Sequence, residues 1–257
     1  MSLSRLEIDE YDLPAFTQLA AGFGTDRYAF VVTPNADHMI RLDEDASFRD
    51  IYDQAGYVLL DSRFVARVLR ISTGVSLPVC VGSELTGNLF EEVIAPADPV
   101  VVIGGSEEQA QALASRYRLN NLAHHNPPMG FINDPVALEA CLQFIEAHSP
   151  FRFCFLGVGC PQQERLAAHL QARGKARGMA LCIGASINFL TGGEVRAPVW
   201  MQKAGLEWLF RLLHSPRRLA GRYLVRGPRV FGILRRTPVV LRPASALPVP
   251  SAAATEV

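Results

Sequence analysis

Residues 151–172, FRFCFLGVGCPQQERLAAHLQA, decide the fold. The run from Phe151 to Leu156 is short and apolar, which is typical of a buried strand, and residues 162–172 have the spacing of a helix with one apolar face. The turn Gly157-Val-Gly-Cys-Pro161 lies between them. We therefore predict a strand, a glycine turn and a helix, the unit from which parallel sheets are built.

The same unit recurs along most of the chain, without an internal sequence repeat. Apolar runs predict strands at 28–33, 57–60, 99–103 and 179–183. Helical spacing predicts helices at 36–54, 62–71, 83–95 (with Ser83 as its cap), 106–117 and 135–148. Strands that are apolar throughout and alternate with helices predict an α/β fold, a Rossmann-like parallel sheet with helices on both faces.

Charge divides the chain unevenly, although the whole chain is neutral. Residues 201–242 carry ten basic side chains and one acidic side chain, a net charge of +9, whereas residues 1–200 carry 15 basic and 23 acidic side chains, a net charge of −8. Arginines in this density indicate an anionic partner. We predict an α/β catalytic domain at 1–198, a basic helical appendage at 199–242 and a disordered tail at 243–257.

Composition restricts where the protein works. The five cysteines include no CxxC pair, which favours a reducing cytoplasm. The first residues lack the order of a signal peptide, and no apolar run reaches the roughly 18 to 20 residues that a membrane span needs. We expect a soluble or peripheral protein.

Polar residues and glycines follow four of the predicted strands: Thr33, Asp61, Gly104 and Gly157. Ligands of parallel sheets bind at this edge. Asp61 could serve there as a general base, as a metal ligand or as the cap of the helix at 62–71. The turn Gly157-x-Gly159-x-Pro161 suits a phosphate, but such a turn is also a packing device, and the pair Gly104-Gly105 is open to the same two interpretations.

No set of metal ligands is evident. His124 and His125 are adjacent, so their side chains diverge, and His38 and His214 have no recognisable partner. The chain lacks an Asp-x-Asp motif. A transferase of this sequence would need another cation at a leaving diphosphate, and the arginines of the appendage could supply it.

A longer set of motifs resembles the WecG/TagA/CpsF glycosyltransferases over about residues 28–225. In order, these are Thr33-Pro-Asn35, Asp61, Gly157-x-Gly159-x-Pro161-Gln-Gln163-Glu164, Gly184, Arg196-Ala-Pro198, Gly205-Leu-Glu207-Trp208, Arg211-Leu212, Pro216-x-Arg218 and Arg222-Tyr223. The resemblance implies an inverting, metal-independent transfer from a UDP-sugar to an undecaprenyl-diphosphate-linked saccharide.

The resemblance also implies roles for particular residues. Asp61 matches the proposed base, and it would act with the polar residues and arginines Thr33, Asn35, Gln163, Arg211, Arg218 and Arg222. We assign the UDP-sugar to Gly104, Gly105, Gly157, Gly159, Pro161, Gly184 and Asn188. The appendage would dock on the cytoplasmic face of the inner membrane, and a homo-oligomer is possible.

Three other functions were weighed. A nucleotide-dependent oxidoreductase needs a glycine-rich turn near the N-terminus, and the sequence has none there. A non-catalytic lipid-binding or assembly protein of the same pathway remains an alternative. Nucleic-acid binding is disfavoured, because the aromatic residues of the appendage fit the apolar face of a membrane-docking segment better; these are Trp208, Phe210, Tyr223 and Phe231.

Overall fold

The computed structural model of the chain describes residues 5–193 and 197–244. Its strands, in chain order, are β1 (Leu6–Asp9), β2 (Tyr28–Val32), β3 (Tyr57–Val58), β4 (Val100–Ile103), β5 (Leu122–His125), β6 (Phe153–Leu156), β7 (Gly178–Cys182) and β8 (Val239–Arg242). Six of them form a parallel sheet in the order β3-β2-β7-β6-β4-β5. The other two, β1 and β8, pair in parallel with each other. The predicted tail lies almost wholly outside the described residues.

Helices cover both faces of the six-stranded sheet, which confirms the predicted fold class. The α-helices, in chain order, are α1 (Leu13–Gly22), α2 (Ala36–Glu44), α3 (Ala46–Gln54), α4 (Arg63–Thr73), α5 (Gly82–Asn88), α6 (Glu107–Tyr117), α7 (Pro135–Ala147), α8 (Gln162–Arg173), α9 (Ser186–Leu190), α10 (Val199–Ala204), α11 (Glu207–His214), α12 (Pro216–Ala220) and α13 (Arg229–Arg236). Leu89–Val93 and Gly221–Arg226 are π-helical, and Phe131–Asn133 is a 3-10 turn.

The central strands are apolar at every position because both of their faces are covered. Along β6, Cys154 and Leu156 belong to a core cluster on one face, and Phe153 and Phe155 belong to a second cluster on the other. Successive side chains of a strand point to opposite faces, so a strand between two helical layers needs apolar residues throughout. Residues 151–172 therefore form the predicted strand, turn and helix.

Two helix predictions were wrong in detail. The segment 36–54 is two helices, because Asp45 is extended, with φ −123°, and its side chain accepts a hydrogen bond from the Phe48 N–H to begin α3. Aspartate favours such a break because its side chain competes for backbone hydrogen bonds. The segment 83–95 begins as α5 at Gly82, with Val81 at the cap position, so Ser83 is not its cap. The chain becomes π-helical from Leu89.

The basic segment at 199–242 is tied to the rest of the chain, and the domain boundary at residue 198 stays a prediction. Strand β8 pairs with β1 in a register that places Leu6 opposite Val239. Arginines of this segment form ion pairs with acids of the first 200 residues: Arg226 and Arg229 with Glu44, Arg236 with Asp43, and Arg242 with Asp9. Part of the +9 charge thus holds the segment in place.

Aromatic contacts add to this attachment. The rings of Trp208 and Phe231 both pack edge-on against Phe64 of α4, at centroid distances of 6.4 and 5.9 Å, and Tyr223 packs on Trp208. Trp208 thus contributes to this attachment, and its place on a membrane-docking face stays a prediction. Within the described ranges, no helix combines the length and the apolar content that crossing a bilayer requires.

Candidate active site

Thr33 and Asn35 lie together where β2 ends. The Thr33 hydroxyl donates to the Cys182 carbonyl oxygen at 3.1 Å, which joins the ends of β2 and β7. The Asn35 side-chain oxygen accepts from the Asp37 N–H at 3.1 Å and so caps α2. Both predicted site residues therefore stabilise the backbone at the carboxyl edge of the sheet.

Asp61 follows β3 at the same edge. Its N–H donates to the Pro34 carbonyl oxygen at 2.9 Å, and its carboxylate accepts from the Gly82 N–H at 3.2 Å. The cap of α4 is Ser62, whose hydroxyl oxygen accepts from the Val65 N–H at 3.1 Å. Capping as the role of Asp61 is therefore wrong, and its carboxylate is available for chemistry.

The surroundings of Asp61 bring its pKa close to neutrality. Burial raises the pKa of the carboxyl group to about 7, while the Gly82 N–H and the Arg211 guanidinium oppose the rise. The Glu207 carboxylate raises the pKa further, and His38 lowers it. A carboxylate with a pKa near the working pH is suited to accept a proton during a reaction.

Helix α11 of the appendage supplies two of these charges. Arg211 lies over the ring of Phe189 at 5.2 Å, and Glu207 accepts from Arg63 at 3.1 Å. Arg63 also makes a two-bonded pair with Glu84 of α5, at 2.7 and 2.8 Å. Arg63 thus links α11 to α5, whose first residue, Gly82, donates to the Asp61 carboxylate.

A cleft lies between α11 and the sheet domain. Its lining residues come from both sides and include Val81, Ser83, Glu84, Phe189, Ala197, Gln202, Glu207, Phe210 and Arg211. Asp61 is not among these lining residues, but the positive charge of the predicted Arg211 acts on its carboxyl group and lowers its pKa. Arg218 lies in α12 and Arg222 in the π-helical segment that follows, and their side chains are outside the described part of the structure.

The glycines of the predicted phosphate site divide into two kinds. A Cβ on Gly104, where φ is +93°, would lie 3.0 Å from the backbone of Gly157, and a Cβ on Gly157 would lie 3.3 Å from the Ile103 carbonyl oxygen. Close backbone packing explains both residues. Gly159 and Gly184 also have positive φ, but no atom lies within 4 Å of their added Cβ. These two glycines face open space.

Helix α8 begins beside this space. It follows the turn ending in Pro161, and no side chain caps it, so the positive end of a 12-residue helix is available to an anion. The Gln163 side chain is buried, and both its amide nitrogen and its amide oxygen form hydrogen bonds. Its amide N–H donates to Glu164 at 2.8 Å, and its oxygen accepts from the Gly184 N–H at 2.9 Å.

Asn188 lies in a network with a residue that the sequence analysis missed. Gln109 of α6 donates to the Asn188 side-chain oxygen at 2.9 Å and to the Thr191 hydroxyl at 3.2 Å, and its own oxygen accepts from the Ser106 N–H. A Cβ on Gly105 would lie 3.0 Å from that oxygen. The Ser-x-x-Gln pattern of a capping box at 106–109 was the available sequence signal.

His38 was also missed as part of the site. Its Nδ1 lies 2.9 Å from the Asn35 side-chain oxygen, and its Nε2 lies 3.3 Å from Glu164. Burial lowers the pKa of His38, but contacts with Cys160 and Glu164 outweigh burial and raise the pKa to about 10. The sequence signal was its place three residues after the cap of α2, the third position of a capping box.

The adjacent histidines belong to other contacts. His124 lies 3.1 Å from both Glu107 and the Gly104 carbonyl oxygen, and His125 stacks on Phe144. Among the described residues, neither joins a group of potential metal ligands.

The fold and the site define an α/β protein with a titratable carboxylate at the carboxyl edge of a parallel sheet, and with a nearby cleft that Glu84, Glu207 and Arg211 line. The profile of the Glycosyl transferase WecG/TagA/CpsF family matches residues 1–242. The chain belongs to this family, and the resemblance found in its motifs is confirmed. It is a glycosyltransferase, and its family points to cell-envelope polysaccharide biosynthesis.

Proposed function

We propose that the chain transfers a hexose or an N-acetylhexosamine-type sugar from a UDP-sugar to an undecaprenyl-diphosphate-linked saccharide, with inversion at the anomeric carbon. The observation that carries this proposal is Asp61. It is a carboxylate at the sheet edge, with a pKa of about 7, which accepts from the Gly82 N–H and is acted on by the charge of Arg211.

A single carboxylate is sufficient for an inverting reaction. Asp61 takes the proton of the acceptor hydroxyl as that oxygen attacks the anomeric carbon, and the bond to the UDP oxygen breaks on the opposite face. Retention through a covalent sugar–enzyme intermediate would need a second nucleophile beside the anomeric carbon. Glu207, the acid whose charge raises the pKa of Asp61, accepts a hydrogen bond from Arg63 and is engaged in holding α11.

The departing diphosphate gains negative charge, and two features of the site can stabilise it. One is the guanidinium of Arg211, whose hydrogen bonds to a phosphate strengthen as the charge grows. The other is the uncapped start of α8, beside the open faces of Gly159 and Gly184. We propose that these groups serve where other transferases use a metal, so that transfer proceeds without one.

The acceptor is proposed to be reached at a membrane. Large apolar side chains of the appendage are exposed, namely Val199, Trp200, Leu213, Leu224, Val225 and Phe231. Arginines such as Arg217 and Arg235 are exposed in the same segment. Apolar and basic side chains together bind anionic lipid surfaces, which supports a peripheral position on the cytoplasmic face of the inner membrane.

A product assay tests the proposal. The protein is incubated with a panel of UDP-sugars and a short-chain lipid-diphosphate monosaccharide, with and without a chelator, and products are identified by mass. We expect one donor to give a disaccharide product that Asp61→Asn abolishes, whereas Asp53→Asn, at an exposed position of α3, leaves it unchanged. Vesicle binding without transfer from any donor would instead support the lipid-binding or assembly alternative.

A further inference from the structure

Three side chains that take no chemical step in the proposed reaction meet beside the candidate active site. They are His38 of α2, Cys160 of the turn before α8, and Glu164 of α8. Their ligand atoms, one from each residue, all lie within 4.8 Å of one another. The helices α2 and α8 bring them together from distant parts of the sequence, which is why no ligand set was evident there.

The cluster leaves buried polar atoms unsatisfied. His38 Nε2 lies 3.3 Å from the Glu164 carboxylate, yet it makes no well-directed hydrogen bond, and the second carboxylate oxygen of Glu164 has no hydrogen-bond partner. The side chains of these two residues are 8% and 0% exposed. A buried carboxylate oxygen without a partner is costly, so a positive charge at the point where the three groups converge is stabilised.

We infer that His38, Cys160 and Glu164 form a binding site for one divalent cation of the zinc class, with a fourth coordination position left for water. A thiolate, an imidazole nitrogen and one carboxylate match Zn²⁺ or Co²⁺, whereas Mg²⁺ and Ca²⁺ prefer sites made of oxygen atoms alone. This inference does not depend on the proposed sugar transfer.

The geometry is near that of a tetrahedral site. Bonds of about 2.0 to 2.3 Å place neighbouring tetrahedral ligand atoms about 3.3 to 3.8 Å apart. The three ligand atoms lie within 4.8 Å of one another, and side-chain shifts of about 1 Å would bring them to that spacing. Cys160 is partly exposed, unlike the other four cysteines, which are buried, so an ion can enter from its side.

The residues around the cluster orient the ligands as they do in known metal sites. His38 Nδ1 lies 2.9 Å from the Asn35 side-chain oxygen, an arrangement that directs Nε2 toward the cluster. Gln163 donates to Glu164 at 2.8 Å and accepts from the Gly184 N–H. Metal-ligating histidines characteristically donate their other ring nitrogen to an oxygen, and ligating carboxylates are themselves hydrogen-bonded.

Cobalt provides the direct test. The full chain is stripped with a chelator and titrated with Co²⁺, and the near-ultraviolet thiolate-to-cobalt charge-transfer band is followed. We expect one ion per chain and a band that Cys160→Ser removes. The matched control is Cys141→Ala, which removes a buried thiol of α7 and should retain the band. Circular dichroism checks that both variants are folded.

Two further measurements need no change in a fully buried residue. Zn²⁺ should protect Cys160 of the unmodified chain from alkylation by iodoacetamide, read by mass spectrometry. By calorimetry, Cys160→Ser should weaken Zn²⁺ binding by at least about 10-fold. The inference is overturned if Co²⁺ gives no thiolate band, if the band persists in Cys160→Ser, or if Zn²⁺ leaves the alkylation rate unchanged; the three groups then hold only a proton between them.

Discussion

Replacing Asp61 with asparagine should stop transfer and stabilise the fold at the same time. The amide oxygen of asparagine can still accept the Gly82 N–H that the carboxylate accepts at 3.2 Å, so the local backbone is kept. The variant cannot take a proton from an acceptor hydroxyl. Loss of a general base reduces the rate by about 10²- to 10⁴-fold.

The gain in stability follows from the raised pKa. Burial raises the pKa of Asp61 from 3.8 to about 7, so the folded protein binds this proton more tightly than the unfolded chain does. The stabilisation that this tighter proton binding gives to the folded protein is fully present below pH 3.8 and is lost as the pH rises through 7. At pH 8 the buried carboxylate of Asp61 is therefore ionised and destabilises the folded protein. Because partial exposure reduces this effect, Asp61→Asn should raise the free energy of unfolding by on the order of 2 kcal/mol.

The assays are transfer rate against pH and urea unfolding at pH 5 and pH 8. For the unmodified chain, a base with a pKa of about 7 predicts kcat/KM about 10-fold lower at pH 6 than at pH 8. Asp61→Asn should be more stable than the unmodified chain at pH 8, with a smaller difference at pH 5, while the exposed control Asp53→Asn changes neither quantity. A flat pH profile, or a variant destabilised at pH 8, refutes the reasoning.

Three other predictions concern single contacts. Glu207→Gln removes a charge that raises the pKa of Asp61, so the acid limb of the kcat/KM profile should move to lower pH by less than about one unit; movement to higher pH contradicts this. Gly104→Ala forces a Cβ against the backbone of Gly157 at positive φ and should cost about 1 to 3 kcal/mol in urea unfolding, whereas unchanged stability would mean that the two turns separate easily. Phe64→Ala removes the ring on which two aromatic residues of the appendage pack, so limited proteolysis should cut residues 199–242 faster, and an unchanged rate would assign the attachment to the ion pairs.

The sheet core could be predicted from the sequence because its signal is local. Strand β6 lies between two helical layers, so it is apolar at every position and is followed by a glycine turn. Strand β5 was missed because it is a four-residue edge strand that contains His124 and His125. Strands β1 and β8 were missed for a related reason, since each is stabilised by a partner from the opposite end of the sequence rather than by its own pattern.

The candidate site was predicted where a residue directly follows a strand, as Asp61 does. Whether Asp61 instead caps α4 could not be decided from the sequence, because Ser62 is an equally good cap. The pairing of His38 with Glu164 depends on how α2 packs beside α8, which no short pattern encodes. The sequence likewise could not show which glycines have free space beside them, because that depends on neighbours brought close by folding. Gly159 and Gly184 have such space, whereas Gly104 is packed against backbone.

The pairing of β1 with β8 has a consequence for biosynthesis. Residues 6–9 are synthesised before their partner at 239–242, so the edge of β1 stays open until that distant segment has been made. An unpaired strand edge can recruit other chains. Asp9 partly controls this edge, because its carboxylate accepts from the Val58 N–H at 2.6 Å and from Arg242 at 2.7 Å. Until Arg242 emerges, that acid lacks its guanidinium partner, and an unpaired charge at a strand edge discourages pairing between nascent chains.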